Sequence, residues 1–172
     1  MFFVKEMERT IQLHPSYFGP QIRQHLHREL LTKVEGQNMG QYIIVCILDA
    51  FDISDGVVMP GSGHAEYIIH YKAIVWKPFK GEIVDGEVTS VIRAGFFLDV
   101  GAMRAFVARS SIPADMKYDA NATPPQWTDN ADQVIEKGTQ VRFKIIGVRT
   151  EVAEMFAVGS IKEDYLGAIT SL

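Results

Sequence analysis

Four glycines, Gly81, Gly86, Gly95 and Gly101, punctuate a stretch that otherwise reads as β-strand. That spacing constrains the fold more than anything else in the chain. Apolar positions at Ile83, Val88 and Phe97 alternate with polar ones, so two short strands meet at Gly95. A glycine inside a strand lets the backbone coil where a Cβ would clash, and repeated glycines close a sheet on itself. The stretch therefore predicts a small, strongly bent barrel. Its strands are expected at Glu82 to Val91, Phe96 to Val100, Met103 to Ala108, Val141 to Arg149 and Met155 to Ser160. Between the third and fourth lies 111–138, with Pro113, Pro124 and Pro125 and no clear period, the pattern of a functional or mobile connection. The tail from Ile161 carries Tyr165, Leu166 and Ile169, apolar enough to pack back on the body.

The first part of the chain has other periods. Phe3, Met7, Ile11 and Leu13 interleave with polar residues as in a half-buried strand, and His14-Pro15 stops it. Gly19-Pro20 opens a helix whose Ile22, Leu26 and Leu30 recur every four residues, with Gly36 as the stop. Tyr42 to Leu48 is a continuous apolar run, the pattern of a central strand, and a further strand runs from His64 to Trp76. This β-α-β-β unit ends at Pro78, which donates no ladder hydrogen bond and holds Lys77 extended. Two domains follow, 1–78 and 79–172, and the class is α+β.

Bulk properties narrow the function. A chain of 172 residues is one or two small domains. Its net charge of -4 argues against a protein that coats nucleic acid, because phosphate neutralisation needs a basic excess. The single cysteine, Cys46, leaves no partner for an internal disulfide and is expected as a buried, inert thiol in a reducing compartment. No stretch approaches the ~20 apolar residues of a membrane span, and the N-terminus lacks signal-peptide features. An intracellular protein without a membrane partner is expected.

Motifs for catalysis are missing. His25 and His27 stand two apart on a helix and diverge, and Asp49, Asp52 and Asp55 do not have the alternate spacing of a calcium loop. Gly61-Ser62-Gly63 precedes a strand and lacks the lysine of a phosphate loop. No Gly-x-Ser-x-Gly elbow or Cys-x-x-Cys pair occurs. The expectation is no catalytic residue, no metal, no cofactor and no enzyme.

Gly81, Gly86-x-Val88, Val91, Gly95-Phe96-Phe97, Val100, Phe106-Val107 and Ser110 resemble the S1-type OB domain, a five-stranded RNA-binding barrel. Together with Phe2-Phe3, Leu13 to Pro20, Tyr71 to Glu82 and Gly159 to Gly167, the whole chain resembles the family of the seventh-largest subunit of eukaryotic RNA polymerase II. The resemblance implies a truncated ribonucleoprotein-like tip domain followed by the S1 barrel. It implies a heterodimer with the fourth-largest polymerase II subunit lying along both domains, and docking on the polymerase core near the clamp. Support of transcription initiation, nascent single-stranded RNA as ligand, and residence in the nucleus, with the cytoplasm as a second compartment, complete the picture. Two alternatives are a stalk subunit of polymerase III or an archaeal polymerase, and an independent S1-type RNA-binding factor.

For RNA contact the candidates are Phe97 and Phe106 as stacking platforms and Lys80, Arg93, Arg104, Arg109, Arg142 and Lys144 for phosphates. The phenylalanines read equally as barrel core, and the cations as a solvated face. Bacterial S1 domains often add an aromatic and a histidine where this chain has Ala94 and Ala108, so RNA binding is expected to be weak, salt-sensitive and tolerant of sequence. For docking on the polymerase the candidates are Tyr17, Phe18 and Gly19 in one loop and Gly61, Ser62, Gly63 and His64 in another. Tyr17 and Phe18 read either as buried anchors for the partner or as a cap over the helix.

Overall fold

Phe2–Leu13 forms β1, and the chain then makes a single 3-10 turn over Pro15–Tyr17, where the Nδ1 of His14 accepts from the Ser16 amide. The computed structural model describes residues 1–129, 133–150 and 154–169. Helix α1 (Ile22–Val34) follows, then β2 (Ile43–Ile53), the short β3 (Val57–Val58) and β4 (Ala65–Trp76). The strands form one antiparallel sheet in the order β1-β4-β2, with β3 also against β4. One face of the sheet takes the helix. Leu26, Leu30 and Val34, four residues apart, are buried among Ile11, Leu13, Ile44, Ile69, Tyr71 and Val75. At roughly 1.5–3 kcal/mol for each large side chain, this seam is what holds the helix to the sheet. Gly36 adopts φ 75° just past the helix end, a left-handed stop that favours glycine.

The continuous apolar run at Tyr42 to Leu48 is not the central strand; β4 is. β2 lies at an edge and its register against β4 shifts at Ile44/Cys46, Ile47/Asp49 and Ala50/Asp52. Each shift throws an extra residue off the alternation, and Val45 and Leu48 end up exposed. Bulging therefore mimics, in sequence, the unbroken hydrophobicity of a strand buried on both faces. Cys46 is half-buried on this edge instead of sealed in the core.

Residues Met1–Lys77 and Pro78–Leu172 are the two compact units of the chain. In the second, β5 (Ile83–Ile92), β6 (Gly95–Val100) and β7 (Met103–Ala108) precede a short-stranded insertion of β8 (Lys117–Asp119), β9 (Gln126–Thr128) and β10 (Val134–Ile135). β11 (Gln140–Thr150), β12 (Met155–Ser160) and β13 (Gly167–Ala168) complete it. The barrel runs β12-β7-β6-β5-β11 and closes where β11 pairs with β12; the β7–β12 contact is parallel. Inward positions Val88, Phe96, Leu98, Ala105, Val107 and Phe143 are essentially sealed from solvent. Gly95 has φ 149°, and a Cβ there would lie 2.0 Å from the Val107 carbonyl oxygen. Closure at this corner thus requires glycine, for lack of any space. A Cβ on Gly159 would likewise lie 2.4 Å from the Phe143 ring, which fills the barrel where that glycine makes room.

Within 111–138, where an aperiodic connection was expected, β8, β9 and β10 form an antiparallel sheet of their own; residues 130–132 fall outside the described set. Its strands hold two or three residues, too few for a period to register in sequence. Trp127 is its core, 2% exposed, with the indole Nε1–H donating to the Ile92 carbonyl at 3.2 Å. The tail packs back only in part. Ile161 is buried and its N–H donates to Ser111 O, and β13 pairs with β11, but Tyr165 is 97% exposed at φ 66°.

Candidate nucleic-acid interface

Strand parity decides which side chains the barrel shows to solvent. Because Phe96, Leu98, Ala105 and Val107 point inward, Phe97 and Phe106 point outward. They are cross-strand partners on β6 and β7, with ring centroids 4.7 Å apart and planes inclined at 42°. The barrel-core reading of these two residues is therefore set aside. The core aromatics are Phe96 and Phe143. Both outer rings are half-buried, an apolar shelf with aromatic faces of the kind on which bases stack.

One step along the same face, Asp99 pairs across with Arg104. The Arg104 Nε is 3.7 Å from Asp99 Oδ1, beyond hydrogen-bond range, and that oxygen has no hydrogen-bond partner among the described residues. At the other end of the shelf, Arg93 sits in the β5–β6 turn and Arg109 follows β7, both exposed. The Arg109 amide donates to the Ala94 carbonyl at 2.8 Å and ties the two segments together. Phe97, Phe106 and Arg104 thus share one wall, with Arg93 and Arg109 in the exposed segments at its end.

The remaining candidates lie elsewhere. Arg142 on β11 faces Asp85 on β5 and donates twice, Nε to Oδ1 at 2.7 Å and Nη2 to Oδ2 at 2.8 Å. These hydrogen bonds hold the Asp85 carboxyl below its ordinary value and raise the Arg142 guanidinium, with partial burial opposing each. Lys144 donates to both oxygens of Glu163 at 2.7 and 3.0 Å. Their charges are already matched by carboxylates. Lys80 stands in the turn before β5, where the Gly81 amide donates to Ile145 O.

Three residues of this wall escape a sequence reading. Phe156 on β12 lies beside Arg104, Arg149 on β11 lies beside Phe156, and Val158 lies beside Phe106. The shelf thereby continues around the barrel as Phe97, Phe106, Val158 and Phe156, edged by Arg104 and Arg149. Gly159 offered the missing signal: a closure glycine points inward, so parity turns Val158 and Phe156 outward.

In the first unit, the two loops expected to dock converge. His14 and His64 meet edge to face at 5.1 Å, and a Cβ on Gly63 would lie 3.5 Å from the Pro15 ring. Gly61 and Gly63 adopt φ 89° and 71°, and the Met59 amide donates to His64 O, closing the hairpin that carries Ser62. Tyr17 leans on His25 of α1 at 4.9 Å, yet Tyr17 and Phe18 stay 49% and 43% exposed beside Gly19. Both remain available to a partner. In the second unit, Ile83, Asp85, Arg142, Asp164, Tyr165 and Leu166 line a surface cavity of about 500 Å³.

Residues 77–157 match the S1 RNA binding domain, and residues 8–63 match the SHS2 domain found in the N terminus of Rpb7p/Rpc25p/MJ0397. Over 98% of its length the chain is 50% identical to the DNA-directed RNA polymerase II subunit rpb7 of Schizosaccharomyces pombe, covering 99% of that protein. The chain belongs to the Rpb7 family of RNA polymerase II subunits. It is also 44% identical to the DNA-directed RNA polymerase II subunit RPB7 of Saccharomyces cerevisiae, over 98% of the chain and 100% of the relative. Identity falls to 25% with the DNA-directed RNA polymerase subunit Rpo7 of Saccharolobus solfataricus, over 98% and 96% of the two chains. Within this family the α+β fold is an SHS2 domain followed by an S1 barrel, and the outer wall described above belongs to that S1 domain.

Proposed function

We propose that this polymerase II subunit is noncatalytic and works as part of a stalk in the nucleus. It pairs with the fourth-largest subunit, docks on the polymerase core near the clamp, supports initiation and binds emerging single-stranded RNA weakly. The observation that carries the RNA role is the outward Phe97–Phe106 pair with a guanidinium beside it that closes no hydrogen bond among the described residues. Aromatic stacking is worth ~1–3 kcal/mol per base and tolerates sequence, while Arg93, Arg104, Arg109 and Arg149 supply cations at the shelf's borders. Arg142 and Lys144, matched by Asp85 and Glu163, and Lys80 in its turn are secondary. Docking on the core falls to Tyr17, Phe18 and Gly19 with Gly61 to His64, since these two loops form one exposed cluster.

Two features favour a dedicated protein partner. β1 is an edge strand that pairs only with β4 among the described strands, which suits strand addition. Glu35 and the backbone of Gly36 and Gln37 hydrogen-bond to β2 and so occupy that other edge. Tyr165, held left-handed and almost wholly exposed beside an open cavity, has the form of an anchor awaiting a receptor.

The test is photocrosslinking of the full chain, alone and with the fourth-largest subunit, to a short uridine-rich RNA across a salt series. Crosslinks on the Phe97–Phe106 wall that fade with salt and strengthen with the partner are expected. Tight binding by the lone chain at physiological salt, indifferent to the partner, overturns the stalk reading. In parallel, Tyr17→Ala with Phe18→Ala is expected to reduce recovery of the chain on core polymerase while leaving the RNA crosslinks intact.

A further inference from the structure

We infer that the Asp99–Arg104 pair makes the S1 wall prefer guanine, an inference that rests on the reading of that wall as an RNA platform. Along β6 and β7 the pair lies two residues from Phe97 and Phe106 on the same face, or ~7 Å. A base stacked on the phenylalanines directs an edge toward it. There it meets a side chain that only accepts hydrogen bonds beside one that only donates them. The pairing edge of guanine carries a carbonyl acceptor next to two N–H donors, so it satisfies Arg104 and both oxygens of Asp99 together. Uracil has one donor flanked by carbonyl oxygens, which a carboxylate repels. Adenine offers its amino group but no carbonyl for the guanidinium. Cytosine gives the carboxylate a single amino group.

The state of the pair without RNA points the same way. Elsewhere on this barrel, the same two kinds of group close a two-pronged ion pair at 2.7 and 2.8 Å, Arg142 on Asp85. Asp99 and Arg104 stand 3.7 Å apart instead, with a buried carboxylate oxygen unsatisfied among the described residues. Buried acceptors without a partner are rare and call for a reason. That oxygen is covered in the free chain, and a guanine edge reaches it once the half-exposed carboxylate turns toward the stacking shelf. Glu87 lies across from Asp99 on β5, so two carboxylates share this row. They attract N–H edges and turn phosphates away, which leaves the RNA backbone to the end of the shelf held by Arg93 and Arg109.

Fluorescence anisotropy on the full chain at low salt tests this, using labelled oligouridine of roughly eight nucleotides with one central residue replaced by guanosine, inosine, cytidine or adenosine. Guanosine is expected to tighten binding about fivefold or more over uridine, and inosine, which lacks the 2-amino group, to lose most of that gain. Asp99→Asn is expected to abolish the preference, lowering guanosine affinity and raising all-uridine affinity, since the carboxylate that accepts from guanine and repels uracil carbonyls and phosphates is gone. Arg104→Lys, which keeps the charge and removes the fork, is the second variant should Asp99→Asn fail to fold, and it too is expected to lose the preference. Equal affinity for guanosine and uridine, or for guanosine and cytidine, overturns the inference provided binding still depends on Phe97 and Phe106. Binding untouched by Phe97→Ala with Phe106→Ala overturns the platform reading itself.

Discussion

Trp127 gives the sharpest test of whether the short-stranded insertion is part of the barrel unit. The side chain is 2% exposed, and its Nε1–H reaches the Ile92 carbonyl at 3.2 Å. Removing a buried indole typically costs about 3–5 kcal/mol, so Trp127→Ala is expected at that level. Trp127→Phe keeps most of the apolar volume but deletes the donor. It is expected to cost about 1–2 kcal/mol, the hydrogen bond plus a small packing defect. For a unit of this size each kcal/mol moves the midpoint by roughly 4–8 °C, so the phenylalanine variant should melt about 5–15 °C lower. Thermal and urea unfolding of the full chain by far-UV circular dichroism reads both. Arg93 follows Ile92 directly, so a loosened anchor should also speed tryptic cleavage at Arg93. A Trp127→Ala variant within ~0.5 kcal/mol of the parent would refute the packing argument, because surface-like behaviour is incompatible with a sealed indole.

Other outcomes follow from single features of the fold. Gly95→Ala places a Cβ 2.0 Å from Val107 O at φ 149°, and the β6–β7 pairing should be lost, read as collapse of the barrel's unfolding transition. Tyr165→Gly relieves a left-handed strain of ~1–2 kcal/mol and removes a side chain with nothing to bury against, so stability should hold or rise slightly while capture of the fourth-largest subunit weakens. The carboxyl of Asp85 is held below its ordinary value of 3.8, chiefly by the Arg142 hydrogen bond. Its stabilising contribution is therefore present above that value and lost as pH falls through the lowered one. Denaturation midpoints of the parent and Asp85→Asn should differ near neutrality and converge in acid, and a gap that widens in acid would refute the sign.

Glycine placement made the barrel legible. The corner at Gly95 admits no Cβ, so the residue that closes the fold is also visible in sequence, and all five barrel strands fall where alternation puts them. What alternation could not supply was the face of a strand in which every residue is apolar. Phe96 and Phe97 are adjacent, and only the closed barrel decides that the first is core and the second is shelf. Phe156 was missed for the same reason, within Met155-Phe156-Ala157-Val158. Bulges concealed β2 as an edge, and three-residue strands concealed the insertion. Charge pairing was invisible too. Arg142 and Asp85 are far apart in sequence, so that a cation is already neutralised shows only in three dimensions. Convergence of the 14–19 and 60–64 loops is likewise a product of strand pairing, since β1 and β4 lie in register from Leu13–Ala65 onward.

Those neutralised cations set the expected salt dependence. Each phosphate contact on a single strand contributes about −0.7 to the slope of log K against log salt. If Arg93, Arg109 and Arg149 are the cations that meet phosphate, the slope should be about −2. Adding Lys80, Arg142 and Lys144 would steepen it to roughly −4. Engaging Arg142 would also require breaking a two-pronged bond to Asp85, and engaging Lys144 would strand Glu163. A chain with net charge -4 gains little long-range attraction to compensate. If the chain binds RNA as proposed, its affinity comes from stacking and from RNA delivered at high local concentration, where a weak contact is sufficient. Anisotropy titrations from low to physiological salt separate the two slopes. A slope near −4, with Arg142→Gln reducing it by about one contact's worth, would show that the paired cations open to RNA and that the wall extends across the β5–β11 side of the barrel.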